Sequence, residues 1–137
     1  MGAFDPSVSG DIEGTRFVAW TIGRDTPDIA SLLLSENRLY FHKAKTGVIS
    51  CVDVASGKPY FLTQRVPAIR TTYASPVAGG GYVFLTGRGG NTIVIKDSEK
   101  FEIVAENDLG EGVDATPAIA GDQIFIRSAN HLYCIAE

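Results

Sequence analysis

The chain carries nearly the same message twice. Lys45 to Asp53 ("KTGVISCVD") and Gly89 to Asp97 ("GGNTIVIKD") each run from a small-residue turn through a short apolar segment to an aspartate, and 97 minus 53 is 44. At that shift the two copies align without a gap over the 23 positions from Ser31 to Asp53: Ser31 falls on Ser75, Leu39-Tyr40-Phe41 on Val83-Phe84-Leu85, Ile49 on Ile93 and Cys51 on Ile95. A third copy follows at a shift of 41, where Ser75-Pro76 meets Thr116-Pro117 and Val83-Phe84-Leu85 meets Ile124-Phe125-Ile126. After the loss of two residues in the next turn, Asn91 matches Asn130, Ile93 matches Leu132 and Ile95 matches Cys134. Self-similarity at such a period is the mark of a repeat architecture.

Each unit reads as four short strands. A short apolar run leads through a turn ("SEN", "GGG" or "GD") into a second apolar run. These turn residues accept positive φ or bond their own backbone, which suits tight hairpins. The next turns, "AKTG", "GRGGN" and "SANH", lead into third strands "VISCVD", "TIVIKD" and "LYCIAE", and "PYFLTQRV" and "FEIVAEN" supply a fourth in the first two copies. Segments of 4–8 residues rich in Val, Ile, Phe and Tyr favour a pleated, half-buried surface. Helix competes in one place, "DTPDIASLLLSE", where Asp25 or Thr26 would cap and Pro27 would suit the first turn. Its repeat partner "TTYASPVAGG" reads as extended. Four strands per roughly 40–50 residues is the signature of a propeller blade, a small sheet that buries its faces against neighbouring blades. The predicted fold is all-β: about three four-stranded antiparallel blades in a partial propeller, with a β-sandwich as the alternative.

The expected division is an outer strand of a preceding blade at 16–24, blades at 28–66 and 72–107, and an incomplete last blade at 114–137. The 137 residues, 45% apolar, are enough for one ordinary core. Net charge is −4 with no lysine or arginine block, so no nucleic-acid surface is expected. No apolar run reaches the ~20 residues of a membrane-spanning helix. The start "MGAFDPSVSG" lacks the basic and apolar regions of a signal peptide, and Pro6 stands where myristoylation wants Ser or Thr. A chain complete as it stands would be cytoplasmic. Cys51 and Cys134 lie in apolar strands away from metal spacing; both are expected as buried thiols, with a disulfide as the alternative.

"ASPVAGGGYVFLTGRGGNTIVI" resembles the repeat of the pyrroloquinoline-quinone (PQQ) type β-propellers. A blade there carries Ala-x-Asp-x-x-x-Gly-x-x-x-Trp. "CVDVASGKPYF" is similar: Asp53 and Gly57 fit, Cys51 stands for alanine and Phe61 for tryptophan, while "IKDSEKFEIVA" keeps Asp97 alone. The ends "GDIEGTRFVAWTIGRDTP" and "ATPAIAGDQIFIRSANHLYCI" look like the closing portion of PQQ-like repeat proteins of planctomycete-type bacteria, and the resemblance runs from about Gly10 to Glu137. The resemblance implies the scaffold and a periplasmic or secreted setting. In quinoprotein dehydrogenases of this kind, tryptophans knit blade to blade. There PQQ sits over a calcium ion held by Glu, Asn and Asp beside adjacent cysteines. This chain has no adjacent cysteines, and Trp20 is its one tryptophan, placed to serve the partial blade at the start. No cofactor is expected from the residues themselves.

"RFVAWTI" resembles a fourth, outer strand, and the last copy stops after its third, so one end would supply the strand the other lacks. Three blades do not easily form a ring, because propellers have about 4–8. The expected partners are therefore the remaining blades of a longer chain or a second protomer, with a protein partner besides. Among candidate sites, "GRGGN" and "AGGGY" sit between strands and read as hairpin turns, not phosphate loops. His42 and His131 read as surface or edge histidines. The five carboxylates from Glu99 to Glu111 read as a solvated outer strand and turn. The connections "RVPAIRTTY" and "NDLGEGVDAT" should crowd one end of the central channel, which makes Arg70, Tyr73 and Asp114 candidate ligand or partner contacts. The function expected is a non-catalytic interaction or scaffold module. The alternatives are a fragment of a PQQ-dependent dehydrogenase or a small-ligand-binding propeller.

Overall fold

The computed structural model describes residues 1–43 and 45–136, so Glu137, the end of the last expected blade, lies outside the described residues, as does Ala44. All its regular structure is antiparallel β. β1 (Gly2–Phe4) pairs with β2 (Val18–Thr21). Blade 1 then meanders through β3 (Leu33–Ser35), β4 (Arg38–Lys43), β5 (Val48–Asp53) and β6 (Pro59–Arg65). Blade 2 does the same through β7 (Val77–Gly79), β8 (Tyr82–Thr86), β9 (Asn91–Lys96) and β10 (Ile103–Asp108). Blade 3 has three strands among the described residues: β11 (Ala118–Ala120), β12 (Gln123–Arg127) and β13 (Leu132–Ala136). Val83–Leu85 and Ile124–Ile126 therefore belong to separate sheets. The first strands β3, β7 and β11 are neighbours in turn, which puts them at the inner end of the stack. Residues 25–36 form no helix; they are irregular up to β3.

The repeat is physical as well as textual. The first residue of each opening hairpin turn has positive φ: Glu36 at 52°, Gly80 at 60° and Gly121 at 58°, spaced by 44 and 41 as the copies are. Glycine adopts this conformation freely and glutamate does not. Glu36→Gly should therefore raise stability by about 0.5–1 kcal/mol, even though it removes an exposed contact to Arg38. A urea titration reads the change.

Alternation in each strand makes two faces. Tyr40, His42, Ile49 and Cys51 share one face of blade 1, because Tyr40 pairs with Cys51 and His42 with Ile49. This face packs on Val83 and Leu85 of blade 2, forming the main core with Phe61, Val66, Ile69, Ile93 and Ile95. The opposite face, with Leu39, Phe41 and Val52, packs on Trp20, Ile22 and Met1. Each core side chain buried this way stabilises by about 1.5–3 kcal/mol. Burial thus depends on the neighbouring sheet, and two expectations are corrected for that reason. His42 is buried, its Nε2 2.9 Å from the Ala74 carbonyl oxygen across the junction, and burial holds its pKa below the usual histidine value. Cys134 is exposed, while its counterpart Cys51 is fully buried and pushed up to about 12 by desolvation. Both thiols are free.

The first junction has the glycine–tryptophan contact that the resemblance implies. Trp20 lies against Gly57, where an added Cβ would meet the indole at 2.6 Å, and its Nε1 donates to the Val54 carbonyl at 2.9 Å. At the next junction both members have changed. Phe61 replaces the tryptophan, and Phe101, 44 residues after Gly57, replaces the glycine. The two rings pack at 5.6 Å with a tilt of 59°. A smaller ring on one side is offset by a side chain where the other side had none, keeping the junction filled.

The N-terminal strand corrects another expectation. β2 pairs with β1, a strand the sequence reading did not include, and not with β13. Backbone bonds between Met1 and Ile22 and from Asp5 N to Phe17 O extend this pairing, and Trp20 pins it beside blade 1.

Candidate functional site

The connections β6–β7 and β10–β11 run along one end of the blade stack, where they meet the β4–β5 and β8–β9 turns. Their backbones are tied in alike. Val66 N donates to Gly47 O at 2.8 Å, and Leu109 N donates to Gly90 O at 3.2 Å. Both glycines have positive φ and pass so close to the connection that no side chain fits: a Cβ at Gly47 would lie 1.8 Å from Ile69 O, and one at Gly90 2.4 Å from Glu111 O.

Arg88, in the "GRGGN" turn, links the two connections. Its N–H donates to Thr71 O at 2.9 Å and its carbonyl accepts from Val113 N at 3.2 Å. Its guanidinium lies 4.4 Å from the Tyr73 ring centroid and reaches Asp114 through Nε at 2.5 Å and Nη2 at 3.2 Å. The hydrogen bond raises the Arg88 pKa and holds Asp114 below the ordinary carboxylate value. Arg88 and Asp114 side chains are 44% and 61% exposed, so the pair fixes geometry more than it adds stability. Two of the candidate residues, Tyr73 and Asp114, thus meet on a third that sequence reading had placed in a plain turn. An arginine inside a glycine-rich turn was the available signal. The third candidate, Arg70, is exposed and lines an open cleft of about 410 Å³ with Ala68, Ile69, Gly87, Arg88 and Asn91. It makes no ion pair with a described residue.

Glu111 was expected in a solvated acidic turn. Instead it fastens the β10–β11 connection to blade 3. It accepts from Ser128 Oγ, Asn130 N and Nδ2, and Tyr133 OH, and lies 3.0 Å from His131 Nδ1. The Ser128 bond first, then His131, lowers its pKa from 4.5 to about 2. A depressed folded-state pKa contributes stability above the unfolded value, lost as pH falls through the folded one. Glu111→Gln should therefore lower the melting temperature at neutral pH. Its gap to the parent should close between about pH 4.5 and 2, read by thermal unfolding across pH.

Beside the β3–β4 turn, Asp97 of blade 2 accepts from three residues of blade 1: Ser35 Oγ at 2.5 Å, Arg38 Nε at 2.7 Å and Tyr40 OH at 2.7 Å. Burial alone would raise its pKa, but the bonds from Arg38, Ser35 and Tyr40 outweigh it and hold the carboxylate below its usual range. Burial, then the bond to Asp97, pushes the Tyr40 hydroxyl well above the ordinary tyrosine value.

No protein-family model matches this chain, and no curated protein does. Solved structures do match. BamB from Moraxella catarrhalis superposes with a TM-score of 0.68 at 19% identity, over 88% of this chain and 37% of that one. A europium-containing methanol dehydrogenase superposes with a TM-score of 0.59 at 14% identity, over 80% of this chain and 22% of that one. The chain therefore spans well under half of either structure. These likenesses show the fold: antiparallel blades of a β-propeller.

Proposed function

We propose that these propeller blades form a non-catalytic interaction or scaffold module of a larger propeller in a bacterial envelope or secreted protein. In this reading the unit is one domain: an outer strand at 16–24, blades at 28–66 and 72–107, and an incomplete blade at 114–137. The end carrying Arg70, Tyr73, Arg88 and Asp114 is the face offered to a protein partner. One observation carries it: the charged groups there, apart from Arg70, are bonded into ties between loops. Arg88 is held by Tyr73 and Asp114, and Glu111 by the blade 3 turn. Groups fixed this way make a shaped polar surface with one cation free to pair.

The donor set of the quinoprotein site is not assembled by the described residues. Cys51 and Cys134 lie in different blades, and no three His, Cys, Asp or Glu side chains come together. In the dehydrogenase-fragment reading those ligands would be supplied by blades outside this chain. The small-ligand reading keeps one observation in its favour, the cleft beside Arg70.

Two assays separate these. Dye-linked oxidation of alcohols and sugars with added PQQ and calcium should show no turnover, and turnover would overturn the proposal. Affinity capture with the parent and Arg70→Asp proteins should retain a partner that the variant loses. A thermal-shift response to small anions, abolished by Arg70→Asp and without a retained protein, would favour the ligand reading.

A further inference from the structure

Charge is unevenly placed over the junction between blades 1 and 2. Three segments meet there: residues 43–47, 65–73 and 86–91. Val66 N donates to Gly47 O at 2.8 Å and Arg88 N donates to Thr71 O at 2.9 Å, which ties the three together. They hold Lys43, Lys45, Arg65, Arg70 and Arg88, five of the chain's 12 lysines and arginines, and none of its 16 aspartates and glutamates. The whole chain has a net charge of −4, so a cationic spot stands on an acidic molecule. No run of basic residues announces it, because the fold assembles it from separate loops.

Two of the five cations are engaged, Lys43 with Asp25 and Arg88 with Asp114. Lys45 and Arg65, outside the set bonded around Arg88, join Arg70 in being exposed and without an ion pair to a described residue. Carboxylates on the neighbouring segments are committed: Asp25 to Lys43, Asp114 to Arg88 and Glu111 to the blade 3 turn. The cleft of about 410 Å³ beside Arg70 gives the spot a shape. Thr71 and Asn91 also line it, and their side chains bond no described residue. Its lining therefore offers a guanidinium, a hydroxyl and an amide as donors, and no carboxylate.

We propose that this cleft and the cations around it dock an acidic segment of a partner protein, an extended stretch carrying several Asp or Glu side chains. One carboxylate enters the cleft, where the planar Arg70 guanidinium, the Thr71 hydroxyl and the Asn91 amide donate to it. Carboxylates on either side of it reach Lys45 and Arg65. A flat lipid surface meets the loop tips but does not enter the cleft. A nucleic acid needs more neutralising cations than three, and the net negative charge of the chain repels it. The inference rests on the scaffold reading and names the chemistry of its partner.

Fluorescence anisotropy of labelled hexaglutamate, with hexaglutamine as the neutral control, tests it. At about 20 mM salt the first should bind and the second should not, and added salt should weaken the binding. Arg70→Asp should weaken it about tenfold or more, and Asn91→Ala, which alters no charge, about 3–10-fold. Lys45→Glu and Arg65→Glu should each cost about 2–5-fold. Lys58→Glu is the control, an exposed lysine in the β5–β6 turn at the opposite end of blade 1, and should change binding by less than about twofold. Thermal unfolding checks that each variant is folded. Equal binding of hexaglutamine, a loss in Lys58→Glu matching that in Arg70→Asp, or tighter binding of oligothymidylate or phosphatidylserine vesicles than of hexaglutamate would each overturn the proposal. A protein that the parent captures and that excess hexaglutamate does not displace would overturn it too, while leaving the scaffold reading in place.

Discussion

Gly47→Ala should cost about 3–5 kcal/mol, a large share of the ~5–15 kcal/mol that holds an ordinary domain folded. Two effects add. The residue has φ of 59°, where any side chain is strained by roughly 1 kcal/mol. The new methyl would also lie 1.8 Å from the Ile69 carbonyl oxygen, an atom of the backbone that no rotamer change can move. The connection must shift, and with it Ile69, which is 4% exposed within the main core. Gly80→Ala is the control. It has nearly the same φ, 60°, but its nearest neighbour is the edge of Tyr82 at 4.0 Å, so about 1 kcal/mol is expected. Denaturant unfolding of both variants separates close approach from conformational strain. Equal losses would mean that the connection does not cross the β4–β5 turn as described.

Asp97→Ala should cost about 2–4 kcal/mol. Its side chain is 9% exposed and that of Arg38 is 12% exposed, so screening by water is limited. Truncation leaves a nearly buried guanidinium with the exposed Glu36 as its remaining carboxylate, and a buried Tyr40 hydroxyl with the Ser98 carbonyl at 3.2 Å as its remaining partner. Because the Asp97 pKa is lowered from 3.8, its contribution is present at neutral pH and disappears as pH falls below that value. The difference between parent and variant should therefore shrink in acid. A difference that stays constant down to strong acid would contradict the charged role of Asp97.

Much of the fold was legible because the repeat is enforced by contacts between equivalent residues. Ser31, Ser75 and Thr116 align in the text and bond to one another in space. Turn residues at 36, 80 and 121 were readable because positive φ restricts what can stand there. The resemblance located Trp20 correctly, yet the paired change to Phe61 and Phe101 looked in the sequence like loss of the motif. Only the packing shows one change offsetting the other. Burial was not legible, since Cys51 and Cys134 occupy the same strand position and differ only in whether another described blade packs on them. The β1–β2 pairing escaped because a three-residue strand carries no periodicity. At the junction-loop end, Tyr73 and Asp114 were found from their place in the connections. Arg88 and Glu111 were missed because turn glycines and a run of carboxylates concealed two residues with several partners each.

The central claim is that consecutive repeats are separate sheets packed face to face, with blade 1 reaching Asp97 of blade 2. A double-mutant cycle of Arg38→Ala and Asp97→Ala tests it most directly, since the residues are 59 apart in sequence and meet only through that packing. The account predicts a coupling energy of about 1–3 kcal/mol at neutral pH, and additivity within about 0.3 kcal/mol would contradict it.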